Sequence, residues 1–193
     1  GKYKKPDVDV LIAGVGMVST AYYCAKTISR DKAGLVSTYD FVLNIGIAGS
    51  FKRDIAIGTV VNVVRDRFPE LGAESGGKLL PLKEINMNGA DAVENISLIK
   101  NQVLKNLKKV NGITVNTVHG AQTSIWKVVK KFNPDVETME GAAFLFVCKK
   151  EGIPCAQIRA VSNFVEPRNK KNWNIPLAIK NLNEIVIQIL DAY

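Results

Sequence analysis

The sequence predicts an α/β fold: a single domain whose mixed, twisted central sheet is flanked by helices. Two observations predict it. Short runs rich in β-branched residues alternate with amphipathic stretches of helical period along the whole chain. No linker, repeat or low-complexity segment divides the 193 residues, and 47% of them are hydrophobic, enough for one full core.

Taken in order, Val8–Ala13 is a short β-rich run ending in Gly14-Val15-Gly16. Val18–Ser29 reads as a helix with Ala21, Tyr22, Ala25 and Ile28 on one face. Phe41–Ala48 is a nearly continuous apolar run bounded by glycine, the pattern of a buried parallel strand. Gly58–Val64 is a further strand. Residues 66–91 are rich in Gly, Glu and Asn, and read as an excursion with short strands. Asp91–Lys108 is helical at its end, Ile113–Val118 is a strand, and Ile125–Lys131 is a short helix. Glu140–Lys150 is a helix with Ala143, Phe144, Phe146 and Val147 on its apolar face. Gly152-Ile153-Pro154 terminates it, because glycine accepts the left-handed end and proline cannot continue a helix. Cys155–Val161 is a buried strand. Pro176–Leu190 closes the chain as an amphipathic helix carrying Leu177, Ile179, Leu182, Ile185, Val186, Ile189 and Leu190 on its apolar face.

Composition narrows the function. The formal net charge is +8, but the lysines are spread over 100–109, 127–131, 149–150 and 170–171. No aromatic residues interleave with them as stacking platforms would. A solvated surface follows, with attraction of a small anionic substrate as the second reading; nucleic acid is not expected. No run is long enough to span a membrane, and residues 1–6 lack the apolar core of a signal peptide. Cys24, Cys148 and Cys155 are odd in number and have no C-x-x-C company, so they read as buried free thiols in a reducing cytoplasm. Metal-ligand spacing, a Ser-His-Asp set and a nucleophile elbow are all missing, and no metal or cofactor is expected.

The chemistry is concentrated in two segments. Val136-Glu137-Thr138-Met139-Glu140-Gly141-Ala142-Ala143 places an acid at the mouth of an apolar helix. Arg159-Ala160-Val161-Ser162-Asn163 places a polar pair at the end of an apolar strand. A carboxylate can grip a sugar diol and a carboxamide can read a purine edge. Together they suggest a nucleoside site. Taken alone, Glu140 could be a helix-dipole carboxylate; the company of Met139, Arg159, Ser162 and Asn163 argues otherwise. Gly14-Val15-Gly16-Met17-Val18-Ser19 narrowly misses a dinucleotide fingerprint, since the third glycine is Ser19 and the acid Asp40 precedes the next strand instead of ending it. It reads as a tight turn that brings backbone near a site. His119 is the sole histidine and reads as structural, with Gly120 marking a turn at a strand end.

On these residues the chain resembles the nucleoside phosphorylase/methylthioadenosine nucleosidase superfamily. Ala13-Gly14-Val15-Gly16 resembles its S-G-x-G segment, and Asn44-Ile45-Gly46-Ile47-Ala48-Gly49 its N-x-G-x-A-G turn. Gly58-Thr59-Val60-Val61 resembles a G-D-I/V-V strand, Val136–Ala143 an M-E-A/G-x-A ribose motif, and Arg159–Asn163 an R-x-I/V-S-D/N motif. Each is weak alone, but five in order are specific. Val161–Arg168 and Trp173 are most similar to the futalosine hydrolase branch, which serves menaquinone biosynthesis.

The resemblance implies a nucleoside phosphorylase-like fold, no cofactor, and a homo-oligomer, dimer or larger. It also implies hydrolysis of the N-glycosidic bond of a purine nucleoside, futalosine first, giving hypoxanthine and dehypoxanthine futalosine. It assigns Glu140 to the ribose hydroxyls with Met139 packing on the sugar, and Asn163 to the purine N7 and O6. The loop Gln122-Thr123-Ser124 would lie along the base and Ala48 and Gly49 near the ribose. Ser162 and Phe164 join the same substrate site, and Arg168 is the candidate partner of the substrate's far carboxylate. Bacterial phosphorylases carry Arg and Ser where this chain has Asn44 and Ile47, so water is expected as the acceptor in place of phosphate. The family's water-activating glutamate belongs to an opening strand and turn that no acid here matches, Asp7 and Asp9 included; residues before Gly1 are therefore expected. A purine nucleoside phosphorylase or methylthioadenosine nucleosidase-type enzyme is the alternative, and a nucleoside-binding protein without turnover is the second.

Overall fold

Two neighbouring strands form the spine. β1 (Val42–Ser50) and β8 (Cys155–Phe164) run parallel, from the Val42/Cys155 pair to the Ser50/Phe164 pair. The computed structural model describes residues 6–32, 39–95 and 99–192. Within it β2 (Val60–Arg67), β5 (Ala92–Glu94), β6 (Lys108–Thr114) and β7 (Val136–Thr138) complete a sheet of order β5-β2-β6-β7-β1-β8. β8 also pairs antiparallel with β2, so the sheet closes on itself like a small barrel. Parallel pairs (β1/β8, β2/β6, β6/β7) mix with antiparallel ones (β1/β7, β2/β5). A separate hairpin, β3 (Gly72–Ser75) and β4 (Lys78–Pro81), lies within the expected excursion.

Strand composition explains the closure. Ala48, Ile55, Val61, Val63, Val110, Val136 and Val161 form one buried cluster, mostly β-branched side chains that pack well on a pleated surface. The helices cover what remains. α4 (Gly141–Glu151) and α1 (Met17–Lys32) share a second cluster that includes Cys24, Ile28, Phe144, Leu145 and Val147. α5 (Ile175–Asp191) lays Ala178, Leu182 and Ile189 on Ala156, Ile158 and Ala160 of β8. α3 (Gln122–Phe132) packs Val128 against Ile113 and Val115. As expected, α4 ends on Gly152 in the left-handed conformation (φ 66°), whose N–H bonds Cys148 O. The three cysteines are free and buried. Among the described residues no helix is long and apolar enough to cross a membrane.

Several expectations are corrected. Val8–Ala13 forms no strand; it is open to solvent, with Val10 84% and Ile12 89% exposed. Alternating apolar residues specify a strand only where a neighbouring edge offers hydrogen bonds. The expected strand Ile113–Val118 starts earlier, at Lys108, because β6 pairs with β2 from Val61 onward. The segment read as leading into a helix contains β5, and its helix is short, α2 (Gln102–Asn106). Gln122, Thr123 and Ser124 are not a loop but the first turn of α3. Phe146, Leu177 and Ile179 point outward, Phe146 beneath the Lys150 ammonium. A three-residue strand such as β7 carries too few residues for any period and was not anticipated.

One polar side chain ties α2 to α5. Asn101 caps α2 by accepting from Leu104 N–H at 3.1 Å and donates to Ile189 O at 2.8 Å while 1% exposed. Asn101→Ala removes the cap and strands a buried carbonyl. We expect a loss of about 1–3 kcal/mol in urea unfolding with an unchanged slope.

Candidate functional site

The site grows out of an irregularity in the spine. β1 and β8 stay in register through Ala48/Val161, then slip, so that Gly49 faces Asn163 and Ser162 is the extra residue. A bulge of this kind re-aims the side chains that follow it. The Ser162 hydroxyl, 1% exposed, lies 2.8 Å from Asn163 Oδ1 and 3.3 Å from Ala48 O. Asn163 Nδ2 donates to Phe164 O at 3.0 Å. The carboxamide is thereby oriented, with one N–H and one carbonyl lone pair left over.

Lower on the spine, Arg159 pairs with Gly46 in the register and is 2% exposed. A Cβ at Gly46 would overlap its Nη1, so glycine makes the room for the guanidinium. Arg159 donates through Nη2 to Asn44 Oδ1 and through Nε to Gln157 Oε1 at 3.2 Å. Its Nη2 also lies 3.7 Å from Glu140 Oε2. Glu140 is the N-cap residue of α4, and its other oxygen accepts from Gly16 N–H at 3.3 Å. The glycine turn therefore brings backbone to the site, as its sequence suggested.

Behind Arg159 stands a carboxylate that no motif singled out. Gln157 Nε2 donates to Asp66 Oδ2 at 2.9 Å, and Thr114 Oγ1 donates to Asp66 Oδ1 at 3.0 Å. Burial pushes the Asp66 carboxyl up to about 6, opposed by the bonds from Gln157 and Thr114 and by the Arg159 charge. Burial pulls Arg159 below its ordinary value, opposed by Glu140 and Asp66. Asp66 takes up a proton more readily folded than unfolded between its ordinary 3.8 and about 6, so this group's contribution to stability falls as pH rises through that window.

A second polar pair adjoins Asn163. A Cβ at Gly49 would sit 3.3 Å from Asn163 Nδ2 and 3.5 Å from Glu137 Cγ, so that one glycine separates the two side chains. Glu137, 4% exposed, accepts from His119 N–H at 3.1 Å and contacts His119 Nδ1 at 2.7 Å. Phe51 meets the imidazole edge-on at 6.2 Å between centroids. His119 thus has Glu137 as a partner that the sequence did not foresee.

The structure therefore gathers the anticipated residues into two groups along β1. Glu140 is held by Arg159 and Gly16; Asn163 sits with Ser162, Ala48, Gly49 and Phe164. Met139 is half-buried beside Glu140. The Phe164 ring lies 4.3 Å from the Arg53 guanidinium, which pairs with Glu166. Gln122 and Thr123 are exposed on the first turn of α3, and Ser124 Oγ donates to Ala121 O. The Arg168 guanidinium lies over Trp173 at 5.4 Å, and its backbone N–H bonds Gly120 O beside His119. Asp66, Thr114, Glu137 and Gln157 were missed. Their signal was present: Gln157 and Arg159 alternate within an otherwise apolar strand, and buried polar groups need partners.

Replacing His119 with alanine leaves the buried Glu137 carboxylate with its backbone donor but without its ring partner. We expect a stability loss of about 1.5–3 kcal/mol, the worth of a charge-assisted bond, read as a lower urea midpoint. A change within experimental error would show that the contact contributes nothing net.

Known proteins share this fold. Residues 86–191 match the model of the Phosphorylase superfamily. The futalosine hydrolase of Streptomyces coelicolor is 28% identical over 183 residues, spanning 92% of this chain and 76% of that protein. That of Acidothermus cellulolyticus is 30% identical over 181 residues, spanning 90% and 71%. The 5'-methylthioadenosine/S-adenosylhomocysteine nucleosidase of Haemophilus ducreyi is 26% identical over 204 residues, spanning 100% and 84%. Among solved structures, futalosine hydrolase of Helicobacter pylori superposes with a TM-score of 0.76 at 19% identity, over 94% of this chain and 78% of that one. The family match extends over more than half of the sequence and takes in β7, α4 and β8, which carry Glu140, Arg159 and Asn163: the chain belongs to the phosphorylase superfamily.

Proposed function

We propose that the protein hydrolyses the N-glycosidic bond of a purine nucleoside, and that futalosine is that nucleoside, released as hypoxanthine and dehypoxanthine futalosine in menaquinone biosynthesis. The observation that carries the reading is the paired geometry along β1, a carboxylate held by Arg159 and a carboxamide oriented by Ser162. Gly46 and Gly49 mark the two groups and lie three residues apart, roughly 10 Å along a strand. That spacing suits a ribose at one group and a base at the other. The S. coelicolor and A. cellulolyticus relatives, both futalosine hydrolases, support the choice of substrate.

Glycosidic cleavage builds positive charge on the sugar and negative charge on the purine. Glu140 binds the ribose hydroxyls and offers negative charge near the developing cation. Arg159, 3.7 Å from the carboxylate, holds it in place. Asn163 accepts from the protonated N7 and donates to O6 of the departing base, using the valences that Ser162 and Phe164 leave open. Water is the acceptor. The Asn44 carbonyl is already taken by Arg159, and Ile47 packs in the apolar cluster under α5, so neither offers a charge to a phosphate. Met139, Ala48, Gly49 and Phe164 would wall the substrate, the first turn of α3 (Gln122, Thr123, Ser124) would flank the base, and Arg168 would attract the distal carboxylate. We place the protein in the cytoplasm as a homo-oligomer; apolar Val10, Ile12, Val15 and Val18 are exposed, which supports a covered surface.

Incubation with futalosine, with and without phosphate, tests the reaction. Hypoxanthine should appear at the same rate in both, and a phosphate requirement with a sugar phosphate as product would favour the phosphorylase reading. In the same assay Glu140→Gln, which keeps the shape and removes the charge, should lower kcat/KM about 100-fold.

The base preference has its own test, because H. ducreyi's relative is named for an adenine nucleoside. An ionised carboxylate has no proton for O6, whereas a carboxamide does. Asn163→Asp should lower kcat/KM on futalosine and raise relative activity on its 6-amino analogue, since a mismatched buried edge can cost orders of magnitude. An unmoved ratio would mean that Asn163 does not read the base.

A further inference from the structure

We propose that Asp66, which bonds neither Glu140 nor Asn163, is the positioning residue for Glu140. It holds that carboxylate from two directions, through Gln157 and Arg159 on one side and through the first turn of α4 on the other. The inference rests on the nucleosidase reading above and deepens it.

The order of donors and acceptors carries the argument. Arg159 Nε can only donate, so it fixes Gln157 Oε1 as the acceptor and turns Gln157 Nε2 toward Asp66. Asp66 must therefore accept on Oδ2. Its Oδ1 accepts from Thr114 Oγ1, which in turn accepts from Ala142 N–H at 2.7 Å. Thr138 Oγ1 accepts from Gly141 N–H at 3.2 Å and meets Thr114 Oγ1 at 3.2 Å. The first N–H groups of α4 thus reach the Asp66 carboxylate through two hydroxyls, and α4 begins at the residue after Glu140. The packing is close: a Cβ at Gly141 would overlap both Gln157 Oε1 and Asp66 Oδ2. Asp66 is fully buried, so its charge finds its balance inside this network.

The groups facing Asp66 can be named element by element. β8 brings Gln157 and the charged Arg159, with Glu140 beyond it. β6 brings Thr114 and the bare Cα of Gly112. β2 adds the Arg67 backbone N–H, β5 pairs Val93 with Asp66, and α4 contributes backbone N–H through the two threonines. With acceptors required on both oxygens, the relay works with Asp66 ionised. Protonation, which burial moves up to about 6, reverses one bond of the chain.

The test uses the full chain and three variants, with purine nucleoside cleavage and the NMR signal of the Arg159 Nε–H as parallel readouts. In the wild type kcat should fall below about pH 6, as the Asp66 carboxyl takes up its proton. Asp66→Asn should lower kcat about ten-fold and abolish that fall. It should also shift the Arg159 Nε–H signal. Combining Asp66→Asn with Gln157→Glu moves the charge one residue along and restores the order: the new carboxamide donates to the new carboxylate, and Arg159 is the second donor to it. In this double variant kcat and the NMR signal should recover. Gln157→Met, which cuts the relay and leaves Asp66 in place, should reproduce the loss even if Asp66→Asn folds poorly. Unchanged kcat and signal in Asp66→Asn, or a double variant no better than the single, overturns the proposal. A wild type that releases no base overturns the nucleosidase reading instead, and the Arg159 signal still decides whether Asp66 orders the relay.

Discussion

The buried guanidinium of Arg159 is the constraint around which the rest of the structure is arranged. Moving a charge out of water costs several kcal/mol even after relaxation, so an unaccompanied arginine inside a sheet would not survive. Here it is well accompanied. Asn44 on β1, Gln157 on its own strand and Glu140 at the mouth of α4 take its hydrogens or its charge, and Asp66 balances it from one residue further away. The backbone concedes space as well: Gly46 is bare where Nη1 lies, and Gly141 is bare where Gln157 and Asp66 meet the helix. Bare glycines and polar side chains on β1, β2, β8 and α4 all follow from one charge.

That arrangement links fold and chemistry. Glu140 immediately precedes α4, and the helix is clamped by its own buried face. Gly141 to Leu145 are all buried, with Phe144 and Leu145 among the largest enclosed side chains. Large buried apolar groups resist displacement because a packed interior has no vacant space to take them. The electrostatic arrangement is therefore held by packing and does not have to be assembled when substrate arrives, which is the condition under which fixed dipoles contribute most to catalysis.

A second device works at the other end of the same strand. The slip between β1 and β8 inserts Ser162, and its hydroxyl orients the Asn163 amide beside Gly49. Across Gly49 stands Glu137, tied to His119 and so to the turn whose Gly120 carbonyl receives the Arg168 N–H. Asn163 thus lies close to a chain of contacts that ends in the loop after β8, while Glu140 sits at the start of α4. One strand, β1, separates the two polar groups.

Much of this was legible in the amino-acid sequence. The α/β class, α4 with its Gly152 stop, β8 and α5 follow from local periodicity and end signals, which belong to the chain itself. The motifs that single out Glu140, Arg159, Asn163 and the glycine turn at 14–16 are likewise compact and belong to the chain itself. Tertiary structure decided the rest. Val8–Ala13 has a strand's pattern but no strand's partner, and β7 is too short to have a pattern at all. Whether Phe146 or Ala178 faces inward depended on which neighbours arrived. Asp66, Thr114 and Gln157 come from three strands far apart in sequence, and Glu137 meets a histidine from another segment. A sequence names polar residues in apolar strands; only the folded chain determines which of them meet, since the partner that makes a buried polar group tolerable is supplied by another element.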